Sequence, residues 1–167
     1  MRKPDRTWLI VLLLTAGAGL GLHRLFALWP SVVTEFFAPV NESLWEHVKL
    51  LYWPFLVAGL YMTGTGRWTR ASWLAAMLTG CTLLVVLGWQ VHLRFGAPAA
   101  HVALYLALVA LVFLLPELWQ VPDTWTGVLS AGAIVLCGMI VCWTMMPPNH
   151  PLFHDLSLAD TFFPVPF

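Results

Sequence analysis

AAHVALYLALVALVFLLPEL, residues 99–118, decides the fold. Between His101 and Glu117 no residue carries a charge, and apolar side chains follow one another without alternation. A strand of a membrane barrel alternates apolar and polar positions, so this run reads as a helix that satisfies its own backbone in lipid. Twenty residues at about 1.5 Å each cover roughly the 30 Å of a bilayer's hydrocarbon core.

Four further stretches read the same way: residues 8–28, 43–63, 71–91 and 124–146. The expectation is an all-α, polytopic membrane helical bundle of five spans, forming a single transmembrane domain over residues 1–167 with a tail at 147–167. Composition agrees. Of 167 residues 60% are hydrophobic and 10% charged, with a mean hydropathy of +0.81, outside the range of a domain folded in water. A formal charge of zero predicts no attraction to nucleic acid. Nine of the ten tryptophans, all but Trp53, fall at or near predicted span ends, the level at which indoles gather in a bilayer.

Lys and Arg set the orientation. Arg2, Lys3, Arg6, Arg67 and Arg70 share one side, and Arg24, Lys49 and Arg94 the other, which predicts a cytoplasmic N-terminus and an outer tail in the inner (plasma) membrane. Residues 2–18 also have the pattern of a signal peptide, but the apolar run continues to Leu28, so a retained first span is expected. Cys81, Cys137 and Cys142 fall inside spans, lack C-x-x-C spacing and read as buried small hydrophobes. Spans three to five carry no charge at mid-depth, which argues against a transport pathway.

This topology puts all six histidines on the outer side. The densest polar pattern is Pro39 to Lys49, PVNESLWEHVK. Ser43 and Glu46 fit a capping box for the second span, with Asn41 or Ser43 as N-cap. Capping leaves Glu46, His47 and Lys49 unexplained, because ionisable groups at the hydrocarbon boundary need a polar cavity or each other. Glu42 and Glu46 also form an i, i+4 like-charge pair that a cation, a proton or Lys49 relieves. Glu42, Glu46 and His47 are therefore candidate catalytic residues, with Asn41, Lys49 and Arg94 as candidate substrate contacts. His150, His154 and Asp155 in the tail sequence PPNHPLFHD are candidate ligands with His47 for a divalent metal such as zinc. His92 and His101 read as interfacial residues. His23, about five residues inside a span end, requires a partner, Glu46 or another outer group.

The runs Val40 to Leu51 and Pro147 to Asp155 resemble a family of small bacterial integral membrane proteins. That family is marked by V-N-E-S-x-W-E-H after the first span and P-P-x-x-P-L-F-x-D after the last. The match covers Asn41, Glu42, Ser43, Trp45, Glu46 and His47, and more loosely His150 and His154. The resemblance implies the fold and topology and carries no reaction.

Three functions are consistent with these residues. The first is a membrane-embedded enzyme with an outer-leaflet Glu/His site, metal-dependent or acid–base, that hydrolyses or transfers a group on a lipid or other amphiphile. The second is a metal- or haem-binding protein, with His23 and His101 as an axial pair. The third is an accessory subunit that docks on a membrane-complex partner or on a second copy of itself.

Overall fold

The computed structural model describes residues 5–95 and 97–156. Arg2, Lys3, Gly96, Asp160 and the rest of the tail from 157 lie outside the described residues.

Five long helices and one short one form the bundle: α1 (Arg6–Leu28), α2 (Val32–Phe37), α3 (Leu44–Gly64), α4 (Arg70–Phe95), α5 (Pro98–Leu118) and α6 (Thr126–Met145). No strand occurs among the described residues. One 3₁₀ turn, Asp123–Trp125, precedes α6, and a second, Pro151–Phe153, follows it. The five long helices match the five predicted spans to within about a turn. α2 was not foreseen: it is a single capped turn and a half, with Ser31 accepting from the Thr34 amide.

Four helical segments are long and apolar enough to cross a membrane: Arg6–Leu28, Arg70–Phe95, Pro98–Leu118 and Asp123–Met145. α3 has the length of a span, 21 residues, but carries Glu46, His47 and Lys49 in its first two turns. Packing resolves this. Thirteen of its residues are buried, whereas α1 and α6 bury two each. α3 is the inner helix, set against α1, α4 and α6. The outer helices turn bare apolar faces outward. Ile10 and Leu14 on α1 are 55% and 67% exposed, and Ile134 and Val135 on α6 are 71% and 62%. Such continuous faces are stable in lipid, where exposed apolar area carries no cost.

Aromatic packing and a few polar ties hold the helices together. Trp73 donates to the Phe55 carbonyl (2.9 Å), joining α4 to α3. Tyr52 donates to the Ala133 carbonyl (2.9 Å), joining α3 to α6. Trp45, Trp68 and Trp73, at or near helix ends, are buried in the core, where their indoles supply volume between helices. Of the cysteines only Cys81 is buried; Cys142 faces outward from α6.

The two ends of the bundle differ in chemistry. At one end Arg67 pairs with Asp5 (2.9 Å) and Glu117 (3.0 Å), and Trp68 donates to Glu117 (3.0 Å). This brings the start of α1 beside the α3–α4 connection, as the charge reading required. The other end holds the histidines of α1, α3, α4 and α5.

Candidate functional site

Lys49 organises the histidine end. Its side chain is fully buried, and Nζ donates to the Glu35 carbonyl (2.6 Å), the Ala38 carbonyl (3.2 Å) and Glu46 Oε2 (2.5 Å). All three ammonium donors are thus used. Glu46 Oε2 also accepts from the Val40 amide (3.0 Å), and Thr144 donates to Oε1 (3.0 Å). The pair therefore clamps the 38–43 loop between α3 and α6. Both residues are spent on structure: Glu46, expected to be catalytic, and Lys49, expected to contact substrate, are 3% and 0% exposed. Asn41 is also engaged, with Oδ1 accepting from the Ser43 amide (2.9 Å). Ser43 caps α3 by accepting from the Glu46 amide (3.3 Å). The return half of the capping box is missing, because the Glu46 carboxylate reaches Val40 and Lys49 instead.

The clamped loop presents Glu42. Its Oε2 lies 3.4 Å from His23 Nε2 and 3.4 Å from His47 Nε2. The two imidazoles are 5.3 Å apart between ring centres. The partner His23 requires is Glu42 and not Glu46, since Glu46 turns inward to Lys49. Hydrogen bonding to the two histidines holds the Glu42 carboxyl far below the usual carboxylate range. The cluster is open on one side: the side chains of Glu42, His23 and His47 are 49%, 32% and 19% exposed.

His47 is oriented by its other nitrogen. Nδ1 lies 2.7 Å from the Ser43 carbonyl, which only accepts, so Nδ1 carries a proton, and Nε2 faces Glu42, donating to it when the ring is protonated and offering a lone pair to a metal when it is neutral. This arrangement, a backbone carbonyl fixing the tautomer of a ligating imidazole, is common at metal sites. His23 reaches the cluster because α1 docks closely. Pro54 has no N–H, which leaves the Leu50 carbonyl without its helical donor. Gly19 sits against that carbonyl, and a β-carbon there would meet Leu50 O at 2.6 Å as well as the Tyr105 ring. Tyr105 then donates to the Ala16 carbonyl (3.0 Å), so α1, α3 and α5 lock together one turn before His23.

Among the described residues, His23, Glu42 and His47 form the group of His, Cys, Asp or Glu able to hold a metal, with ligand atoms all within 4.8 Å. His150, His154 and Asp155, expected as ligands with His47, are not in it. The tail turn is held by an apolar anchor: Phe153 packs on Trp45 (5.5 Å) and Trp143 (5.3 Å). His150 Nδ1 accepts from the Leu152 amide (3.3 Å), capping that turn, and His154 is exposed. Arg94 is exposed on the last turn of α4 and makes no ion pair among the described residues.

Two more histidines lie alongside. His101 shares a cavity of about 20 Å³ with His47, Gly88 and Tyr105, room for roughly one water. Its Nδ1 faces the Ala97 carbonyl (3.3 Å), and its Nε2 is buried without a partner. The His92 ring lies tilted beside His101, 6.1 Å between ring centres. The sequence signal for His23 was its depth in a span; for Thr144 there was none beyond one hydroxyl in an apolar run. No protein-family model, curated protein or solved structure matches the chain, so a functional assignment rests on the geometry of this site.

Proposed function

We propose that the chain is a membrane-embedded metal-dependent enzyme whose centre is His23, Glu42 and His47. The observation that carries this reading is the equal 3.4 Å spacing of Glu42 Oε2 from both Nε2 atoms. Tetrahedral zinc with bonds of about 2.0–2.1 Å sets its ligand atoms about 3.3–3.4 Å apart. Two histidines and a glutamate leave a fourth position free, as at catalytic zinc sites and unlike closed structural ones. A divalent ion held by these three side chains would supply Lewis-acid chemistry, polarising a substrate oxygen or activating water.

The chain's own residues supply the rest. Ser43 holds the His47 tautomer, the Lys49–Glu46 clamp holds the Glu42 loop, and His101 lies across a small cavity from His47. Hydrolysis or group transfer on an amphiphilic substrate suits a centre at one end of an apolar bundle. The arginines at the opposite end, Arg6, Arg67 and Arg70, support a cytoplasmic N-terminus by the positive-inside rule, a reading under which the centre faces the outer side of the inner membrane. The resemblance of residues 40–51 to small bacterial membrane proteins agrees with this placement. His23 and His101 do not suit an axial haem pair, because His23 faces Glu42 and His101 lines only the small cavity.

Elemental analysis of protein purified in detergent without chelators tests the reading. About one zinc or other transition-metal ion per chain is expected, and H23A, E42Q and H47A should lose it while H154A retains it. Metal-free wild-type protein that also fails to take up added zinc would refute it.

A further inference from the structure

A second feature lies along the same helices, α1 and α3. Between α1 and α3 runs a cleft of about 740 Å³, within the range of ligand pockets. Its α1 wall is the helical stripe Ile10, Leu14, Ala18 and Leu22; its α3 wall includes Trp53 and Val57. Small side chains make the concavity: Ala18 on one wall, Pro54 and Ala58 on the other. The Thr15 hydroxyl in the wall is spent on the Val11 carbonyl (2.7 Å), so the middle of the cleft offers no free polar group. The cleft opens on the lipid-facing flank, where Leu14 is 67% and Val57 68% exposed.

Its two ends differ. Thr7 and Tyr61 lie at the end near the Arg67 pairs, while Leu22 and Trp53 line the other end. Trp53 is pinned by its Nε1 donating to the Phe36 carbonyl (2.9 Å) and by the Phe37 ring at 5.0 Å. Leu22 immediately precedes His23. From Thr7 to Leu22 the cleft runs 15 residues along α1, about 22 Å, longer than the roughly 15 Å of one leaflet.

We infer that this cleft holds one acyl chain of a membrane lipid, entering from the outer leaflet with its headgroup at His23, Glu42 and His47. An unbranched hydrocarbon fits the observations: it asks for no hydrogen bond, reaches the site laterally from the bilayer, and lies along the axis of α1 with its polar end at the histidines. The substrate class is then a lipid cleaved or modified in its headgroup region. That last step rests on the metal-centre reading; occupancy of the cleft does not.

The test uses the full chain in phosphatidylglycerol vesicles doped with phosphatidylglycerol bearing a diazirine at an acyl-chain end, with cross-links mapped by mass spectrometry. Labelling at Ile10, Leu14 and Val57 is expected at least several-fold above Ile134 and Val135, which are equally exposed to lipid. A18W, which fills the cleft, should lower that labelling to the background level and keep its metal, and I134W should change nothing. V57F serves as a second filling variant if A18W does not fold. H47A should lose metal and keep the labelling pattern, so the cleft and the metal centre fail separately. Labelling that simply follows exposure around the bundle, labelling unchanged in both filling variants, or a cross-link at the cleft to a second copy of the chain in place of lipid would overturn the proposal.

Discussion

Glu42 and Glu46 are four residues apart, one in the loop before α3 and one in its first turn, and they sit in opposite kinds of site. Glu46 is buried and saturated: Lys49, the Val40 amide and the Thr144 hydroxyl take up its two oxygens. Glu42 is half exposed and faces two imidazole nitrogens. The Lys49–Glu46 group is closed, with every donor and acceptor matched inside the protein. In the His23–Glu42–His47 group one carboxylate oxygen faces two imidazole nitrogens on a partly exposed surface, an arrangement that a proton or a metal can complete. A carboxylate used for architecture and one available for chemistry are told apart by what remains unmatched around them, not by depth or spacing along the chain.

The sharpest way to break this contrast is to remove one charge from the closed group. K49M leaves Glu46 buried without its cation, a change that costs about 3–5 kcal/mol. Thermal unfolding in detergent should then show a Tm lower by on the order of 10 °C. E46L/K49M should recover most of that loss, since an apolar pair of similar volume is often as stable as a buried ion pair. If K49M unfolds like the wild type, the clamp is not structural and Lys49 returns as a substrate contact.

Gly19→Leu comes next. It pushes α1 away from the Leu50 carbonyl and Tyr105, an overpacking that costs about 1–3 kcal/mol. It also carries His23 out of reach of Glu42. A fall in zinc affinity of at least about tenfold, beyond what the stability loss explains, is expected by competition with a chromogenic chelator.

Changes in the open group should do the reverse. H47A and E42Q should shift stability by less than about 1 kcal/mol, as for exposed ion pairs, while abolishing the gain in Tm that zinc gives the wild type. That gain is about 2.7 kcal/mol at a hundredfold excess over Kd. A large stability loss without metal would make Glu42 a second structural carboxylate.

The smallest expected effect is on acid stability. The folded-state pKa of Glu42 lies below its ordinary value of 4.5, so its contribution is present above that pH and fades as pH falls through and below it. The metal-free protein should lose part of its Tm below about pH 4.5, and E42Q should show a shallower loss over the same range.

Much of this molecule was legible before folding. Four of the five long helices follow from runs too long and too evenly apolar to be anything else in lipid, α3 from its length and its Ser43 cap, and the ends of α1 and α5 fall within two residues of expectation. The histidine-bearing end was readable for the same reason, because antiparallel spans alternate direction. α2 was not legible: six residues, VVTEFF, have no period to read, and their role is to offer the Glu35 and Ala38 carbonyls to a lysine far along the chain. The tail histidines looked like ligands by spacing, but it is Phe153 that draws the tail turn onto Trp45 and Trp143.

The helices, their lengths, their alternation and the gathering of ionisable groups at their ends could be read from the chain alone, because each depends on one segment and its solvent. Which acid meets which base depends on how the segments pack. That choice turns on the close approach of Gly19 to the carbonyl freed by Pro54, and on Lys49 claiming Glu46 before any histidine can. Both are contacts between segments, and neither leaves a periodic trace in the chain.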